Sequence, residues 1–536
     1  MPRLRIAGRR RKTGCFETVL DFFSGHRLGA VLSDAAALLA SLNISIIEYY
    51  ARAELRSRCG TRPNLVKLDK AVYNDSVAKD ASKGRTDAVR IITSAIHSAK
   101  PQNLLGSTLL IQNNRLCVSN DQISKTVNLS DYDSVVVTGY GKACAASARV
   151  IEDLLGDKIT SGLVAVNPEN AVALRKIQCA HGAHPIPDET SIAAAKALLN
   201  FARQCGEKTL VLNLVSGGGS SILCAPYADA MHHIYLDEKA LITKRLLACG
   251  ASIKEINAVR KHLSLVKGGR LAQVLYPATV LSLITSDVIG DDISSIASGP
   301  TVPDPTTWID AFGILQKYDL LQHTPQSVIR LFHHGLRGLV PDTPKEGDPV
   351  FSRCSNIIIG SNLLACRTAI QEAEKLGYRT LYLGSRIAGD VHKEARAFWR
   401  IARQYAQKHT GETRQPLCIL AGGEPTVEVT GQGKGGRAQE FALTFLGELM
   451  NAPAELGARI TMLAAATDGR DGITDASGAF ADTQVLEIMK SLPGHLEPQQ
   501  FIQHNDSYTF FKHCLGLYQS GATGTNVNDI YIALIR

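Results

Sequence analysis

From about Thr86 onward, short runs of β-branched and aliphatic residues alternate with stretches in which apolar positions recur at helical spacing. The first pattern suits strands buried in a sheet and the second suits helices with one face turned inward. The alternation therefore predicts parallel or mixed sheets covered by helices, an α/β fold. Strands are expected at Ser134–Thr138, Gly162–Val166, Thr209–Val215, Thr279–Thr285, Asn356–Ile359, Thr380–Leu383, Leu417–Leu420, Thr426–Val429 and Ile460–Ala465. Helices such as Ser191–Arg203 and Leu363–Leu376 lie between them, the latter stopped by Gly377. The segment Val340–Asp348, rich in proline, glycine and charge, is the expected hinge between a first domain, 81–345, and a second, 346–536. Residues 1–80 stand outside this rhythm and read as an N-terminal extension of unknown role.

At 536 residues the chain exceeds what one core usually serves, and 45% hydrophobic with 20% charged residues is ordinary for a globular protein. The net charge of +8 hints at nucleic acid until it is located. Six of the 58 basic residues fall in 1–12, where there is no acid, which leaves 52 bases against 50 acids in the rest. A body this balanced has no basic face for a phosphate backbone, so no nucleic-acid partner is expected. The longest apolar run, Leu28–Tyr50, is broken by Asp34, Asn43 and Glu48, so no membrane span is expected either. The arginine-rich start has the flavour of a mitochondrial presequence, but Glu17 and Asp21 come early. The cytoplasm is the expected compartment and the mitochondrion the alternative. Twelve cysteines, with no C-x-x-C pair, fit buried thiols in a reducing compartment. The histidines of His181-Gly-Ala-His184, His232/His233 and His333/His334 lack a third partner at ligand spacing and read as non-ligands.

In open α/β sheets ligands gather where strands end, so the residues after each strand carry the chemistry. The run Thr209–Val215 leads into Ser216-Gly217-Gly218-Gly219-Ser220-Ser221. Its glycines permit positive φ and close approach, and its N–H groups can cradle phosphate oxygens; the plainer reading is a flexible turn. Lys142 opens a helix of Ala143–Leu155, where a cation opposes the helix dipole unless an anion is near. After Thr279–Thr285 come Asp287, Asp291 and Asp292, of which Asp287 is the candidate Mg²⁺ ligand and one of the others a helix cap. Arg260-Lys261-His262 and Lys267-Gly268-Gly269-Arg270 form a basic cluster that faces either an acidic substrate or solvent. Gly431–Gly436 matches G-x-G-x-x-G, the one feature that suggests a dinucleotide enzyme, although the strand before it is polar. Walker A and protein-kinase signatures are absent.

Ten segments occur in the order and wording of one family: GYGKA (139–143), HPIPDE (184–189), SGGGSS (216–221), RKHLSLVKGG (260–269), SDVIGDDISSIASGPTVPD (286–304), GGEPTV (422–427), GKGGRAQE (433–440), ATDGRDGITDASGA (466–479), NDSYTFF (505–511) and TGTNVND (523–529). From about Thr86 to Arg536 the chain resembles the glycerate 2-kinase family with its C-terminal MOFRL domain, here about 415–530. The resemblance implies ATP-dependent phosphorylation of D-glycerate to 2-phospho-D-glycerate with Mg²⁺, in a cleft between a Rossmann-like N-terminal domain and a smaller α/β domain. It places the site on Lys142, on the loop Ser216, Gly217, Gly218, Gly219 and Ser220, on Asp287, Glu424, Arg437 and Asp468, and on Thr523, Gly524, Thr525 and Asn526. The expected roles are phosphate or carboxylate neutralisation for Lys142 and Arg437, and Mg²⁺ for Asp287 and Glu424. Asp468 is expected to orient or deprotonate the acceptor hydroxyl, with the roles of Asp287 and Asp468 left interchangeable. Ala438 stands where the family usually has Asn. A homo-oligomer is compatible with this reading. Two alternatives are a nicotinamide-dependent hydroxyacid oxidoreductase using Gly431–Gly436 and a non-catalytic sensor of phosphorylated metabolites.

Overall fold

The strands of the N-terminal half alternate side chains between two apolar layers, which a sheet can satisfy only if both faces are covered. In the computed structural model, which describes residues 75–120, 123–408, 415–494 and 496–536, the two layers are present. The described part of the chain begins with the helix Asp75–Ser98, followed by the helix Pro101–Thr108 and a small antiparallel sheet of β1 (Leu109–Gln112), β2 (Arg115–Ser119) and β3 (Ser124–Asn128). Six parallel strands follow: β4 (Ser134–Tyr140), β5 (Ser161–Val166), β6 (Ile177–His181), β7 (Thr209–Val215), β8 (Thr279–Thr285) and β9 (Cys354–Gly360). Val137, Leu212, Leu283 and Ile357 pack on one face with Ala145, Ala148 and Ile151 of the helix Cys144–Leu155. Val136, Val211, Val215 and Ile284 pack on the other with Ala195, Leu198 and Leu199 of the helix Glu189–Ala202.

The strand order is β6-β5-β4-β7-β8-β9, so the direction of winding reverses between β4 and β7. That reversal opens a crevice at the carboxyl ends of these two strands, and GYGK and SGGGSS are the residues that follow them.

The second sheet comprises β10 (Arg379–Tyr382), β11 (Leu417–Gly423), β12 (Ile460–Ala466), β13 (Gly478–Ala481), β14 (Leu517–Tyr518) and β15 (Asp529–Ile535), in the order β10-β11-β15-β12-β13-β14. Only β10 and β11 are parallel; β15 runs antiparallel between β11 and β12. Phe398, Trp399, Phe441 and Phe445 fill one face, and Ile91, Ile92, Ala95 and Ala369 the other. Both sheets belong to one compact unit, Asn74–Arg536.

Three expectations change here. The hinge expected at Val340–Asp348 falls inside the first sheet's connections, because β9 follows it and pairs with β8. Its polar residues are anchored: Asp342 accepts from His262 Nε2 at 2.8 Å and from Lys345 Nζ at 3.0 Å, and Thr343 donates to Asp304 at 3.0 Å. The chain passes to the second sheet only after Gly360. The strand expected at Thr426–Val429 does not form: only Thr426 makes a bridge, Glu428 O accepts from Asn505 Nδ2 at 3.2 Å, and the N–H groups of Thr430 and Gly431 just beyond donate to the same side chain. Of the N-terminal extension, residues 1–74 lie outside the described residues, as does the run Leu28–Tyr50, and 75–80 open the first helix. No described helix is long and apolar enough to cross a membrane.

Candidate active site

The loops after β4 and β7 are stitched together by their backbones. Lys142 N–H donates to Gly217 O at 2.9 Å, Ala143 N–H to Ser216 Oγ at 3.0 Å, and Ser216 N–H to Tyr140 O at 3.2 Å. Gly218 has φ +80°, and a Cβ there would meet the ring of His184 at 2.8 Å and Lys142 Cε at 3.2 Å. A Cβ on Gly217 would overlap the carboxylate of Asp287, which follows β8. The glycines thus let a cation, an imidazole and a carboxylate close on one turn. Among the described residues, the N–H groups of Gly217, Gly218 and Gly219 have no protein acceptor, and the ammonium of Lys142 has no hydrogen-bond partner. Unsatisfied donors aimed from a turn, with a free cation beside them, suit an anion.

The titratable groups of this turn respond to each other. His184, half-buried, is depressed to about 4, by burial first and then by Lys142, so its imidazole is neutral at ordinary pH. Asp287 is raised by burial, against the pull of Lys142.

The second sheet brings its own charges to the same region. Arg437, the first residue of the helix Arg437–Met450, places Nη1 2.7 Å from Glu424 Oε1 and Nε 2.7 Å from Asp529 Oδ2. Asp529, at the start of β15, is fully buried and accepts a further bond from Tyr531 OH at 3.2 Å. Glu424 is raised by burial and by the neighbouring carboxylates Asp529 and Asp287, with Arg437 opposing. That repulsion couples Asp287 on the first sheet to Glu424 on the second. Asp468, after β12, lies near enough to raise Asp529 and caps its own turn through Arg470 N–H at 3.0 Å. Asn362, directly after β9, fastens the two sheets: its Nδ2 donates to Val527 O at 2.7 Å and to Asp529 O at 2.9 Å, and Gly422 leaves room for its amide.

This arrangement can be set beside known proteins. The N-terminal part matches DUF4147, a domain of unknown function, over residues 87–333, and the C-terminal part matches the MOFRL family over 417–529. A glycerate 2-kinase of Pyrococcus horikoshii is 35% identical over 453 residues, spanning 84% of this chain and 97% of that protein. A glycerate kinase of Rattus norvegicus is 34% identical over 507 residues, 84% and 92% of the two chains. The crystal structure of a glycerate kinase from Thermotoga maritima superposes with a TM-score of 0.72 at 32% identity, covering 84% of this chain and 99% of that one. The chain belongs to the glycerate 2-kinase family.

Within the glycerate 2-kinase framework, Lys142, Ser216–Ser220 and Asp287 come together on the first sheet, and Glu424 joins Arg437 on the second. The loop Thr523–Asn526 stands beside Asp468, with Thr523 N–H donating to Asp468 O at 3.3 Å. Its hydroxyls, however, are engaged by the fold: Thr523 Oγ1 donates to Thr467 O at 2.7 Å and Thr525 Oγ1 to Ala99 O at 2.6 Å. Asn526 Oδ1 accepts from Asn528 N–H at 3.1 Å, and Gly524 takes φ +77°. Ala438 is fully buried in the helix core and offers its N–H to Asp471 at 3.1 Å.

The match at Gly431–Gly436 has a structural cause. The N–H groups of Thr430 and Gly431 both donate to Asn505 Oδ1 at 2.8 Å, Gly433 N–H donates to His504 O at 2.9 Å, and Lys434 N–H to Asp506 Oδ1 at 2.9 Å. The glycines let this turn lie flat on His504–Ser507, and these donors are no longer available to a pyrophosphate. The nicotinamide alternative loses its only motif.

His184, Asn362, Asp471 and Asp529, which border these candidate residues, are not among those expected from the sequence. His184, Asp471 and Asp529 lie inside three of the ten segments, so the wording of the motifs is their one signal. Asn362 has no motif and is found only from the pairing of the sheets.

Proposed function

We propose that this chain transfers the γ-phosphoryl group of ATP to the 2-hydroxyl of D-glycerate, with Mg²⁺. The observation that carries this reading is the turn Gly217–Gly219, whose free N–H groups sit at the strand-order reversal beside Lys142 and Asp287.

Phosphoryl transfer depends mostly on alignment and on neutralising charge spread over the moving oxygens. The Gly217–Gly219 donors and Lys142 hold phosphate oxygens. Asp287 and the Oε2 side of Glu424 are the residues that would hold Mg²⁺. Among the described residues no group of three or more His, Cys, Asp or Glu is arranged to hold an ion. This fits a metal that takes one or two protein carboxylates and completes its shell with phosphates and water. Bound there, Mg²⁺ would supply further neutralisation of the phosphate oxygens. Arg437 has Nε, Nη1 and Nη2 engaged by Asp529 and Glu424, which favours its orienting Glu424 over its direct contact with phosphate. Asp468, half-buried beside Thr523 and Asp529, orients the acceptor hydroxyl and takes its proton.

The test is ADP release coupled to D-glycerate over a panel of small hydroxyacids, with the phosphorylated carbon read by phosphorus NMR. Turnover of D-glycerate to the 2-phosphate is expected. Folded protein that releases no ADP above background with D-glycerate would refute the assignment.

A further inference from the structure

Beneath the Ser216–Ser221 loop lie three cations that no carboxylate balances among the described residues. Lys267 is 1% exposed and donates from Nζ to Ser220 O at 2.8 Å and to Leu223 O at 3.4 Å. Lys239, from the helix Leu236–Ala248, is 4% exposed, and its Nζ is fully buried with no hydrogen-bond partner. Arg260, at the end of the helix Ile253–His262, is half-buried and touches Asn257 Oδ1 at 3.4 Å. None of the three forms an ion pair among the described residues, whereas the adjacent Lys261 is matched by Asp304 at 3.2 Å. They are close enough to act on one another: Lys267 is held well below its ordinary value by burial, then by Arg260 and Lys239. Among the described residues, the buried side chain of Cys224 lies near all three.

Like charges gathered out of water are costly unless an anion joins them. The cluster is tied to the proposed phosphate turn through Ser220. Ser220 Oγ meets Ser298 Oγ at 2.8 Å, Ser298 Oγ donates to Asn257 Oδ1 at 3.3 Å, and Asn257 contacts Arg260. Ala297 and Ser298 take φ +50° and +63° to reach this position, a conformation that costs energy for residues with a Cβ. Two of the cations are enclosed and only Arg260 reaches the surface, which favours a small anion of single charge over a polyphosphate.

We propose that Lys239, Arg260 and Lys267 receive the carboxylate of the hydroxyacid substrate and so present its hydroxyl to the turn above. This rests on the reading of the chain as a kinase of a small hydroxyacid. It makes the cluster the determinant that separates acids from neutral polyols.

The full chain without nucleotide is titrated with D-glycerate by calorimetry, its thermal midpoint is followed, and steady-state constants are measured for Lys239→Met and for the rim variant Arg260→Met. Loss of one charged partner is expected to weaken D-glycerate binding roughly tenfold to a hundredfold. The KM for ATP stays within about twofold of wild type, because the phosphates bind elsewhere. The preference for D-glycerate over uncharged D-glyceramide narrows by the same factor as binding. Lys239→Met also raises the midpoint of the free protein, since an unbalanced buried charge is gone, and loses the rise that D-glycerate gives the wild type. Unchanged D-glycerate binding in both variants overturns the proposal. So does a raised KM for ATP with D-glycerate binding intact, which would make the cluster a phosphate site. Loss of binding in Cys224→Ala with neither cation variant affected overturns it as well. Wild-type protein that binds D-glycerate through these residues but never phosphorylates it would sink the kinase reading and leave the carboxylate site standing.

Discussion

Lys142 acts at the point where the chain must either bind an anion or carry an unbalanced charge beside a turn full of free donors. Replacement by Met keeps the stem that packs near Gly218 and removes the charge. If Lys142 stabilises the transferring phosphoryl group, Lys142→Met lowers kcat by about a hundredfold or more, since a preorganised donor is worth about 3 kcal/mol in the transition state. A rise in KM with kcat preserved would restrict it to ground-state binding. The same variant has a second readout that needs no turnover. His184 is held near 4 partly by Lys142, so removing that charge should raise its midpoint, seen in the ring proton shifts of His184. Burial is the larger cause and remains, so the midpoint should stop short of the ordinary histidine value of about 6.5. A midpoint that does not move would place Lys142 outside Coulombic reach of the imidazole.

At the scale of elements, two joints hold the candidate site in shape. Asn362 links the end of β9 to the start of β15 by two bonds from one amide, 2.7 and 2.9 Å long. Asn362→Ala removes the donor shared by two buried carbonyls and should cost about 1–3 kcal/mol of stability in denaturant unfolding. The second joint is the turn Gly431–Gly436, held by Asn505, whose Nδ2 also donates to Glu440 Oε1 at 3.0 Å. Burial pushes Glu440 up to about 7, and Asp471, which caps the helix Arg437–Met450 through Gln439 N–H at 2.8 Å, is likewise pushed up to about 7. A carboxyl raised on folding binds more protons in the native state than in the unfolded one. Stability therefore falls as pH rises from the ordinary carboxyl value of about 4 towards 7. Glu440→Gln keeps the acceptor for Asn505 without the ionisation and should flatten part of that slope, read from unfolding free energies across this range. An unaltered slope would assign the titration to Asp471 or elsewhere. These joints also mark the limit of what could be read in advance. The strands β7 and β8 were legible to the residue because buried parallel strands are unbroken apolar runs with glycine or polar turns at their ends. β15, equally apolar, is not among the strands expected from the sequence, and neither is β6, whose pattern Gln178 and His181 dilute. The candidate site was legible as loops, but its pairings were not: that Arg437 would meet Asp529, or that Gly433 serves His504 and not a nucleotide, depends on contacts between residues about 70 to 90 positions apart.

At the scale of the molecule, the helix Asp75–Ser98 joins the beginning of the described chain to its second sheet rather than its first. Ala88, Ile91, Ile92 and Ala95 are fully buried on it, packed with Leu463, Ile532 and Leu534. Its polar residues are matched as carefully: Arg85 holds Asp482 at 2.6 and 2.8 Å, and Tyr378 OH donates to Asp87 at 2.7 Å. The carbonyl of Ala99, just past its end, accepts from Thr525 and so ties the helix to the loop beside Asp468. Burying Ile91, Ile92 and Ile96 contributes roughly 5–9 kcal/mol at about 1.5–3 kcal/mol for each side chain. That is comparable to the whole stability of a typical domain, about 5–15 kcal/mol. The sequence alone suggests that residues 1–75 can be removed, and the packing sets the helix that starts there among the residues that must stay. A chain beginning at Asn74 should fold, unfold cooperatively at the full-length midpoint and retain its turnover of D-glycerate. A chain beginning at Pro101 should expose the apolar face of β12 and β15, bind hydrophobic dyes and lose both the cooperative transition and activity. Because the first sheet keeps all six strands in that shorter chain, its helical circular dichroism should fall only in part while the near-ultraviolet signal collapses. Should the shorter chain unfold at the same denaturant midpoint as the longer one, the helix would be an appendage, and the coupling drawn here from Ile91 to the loop at Thr525 would be wrong.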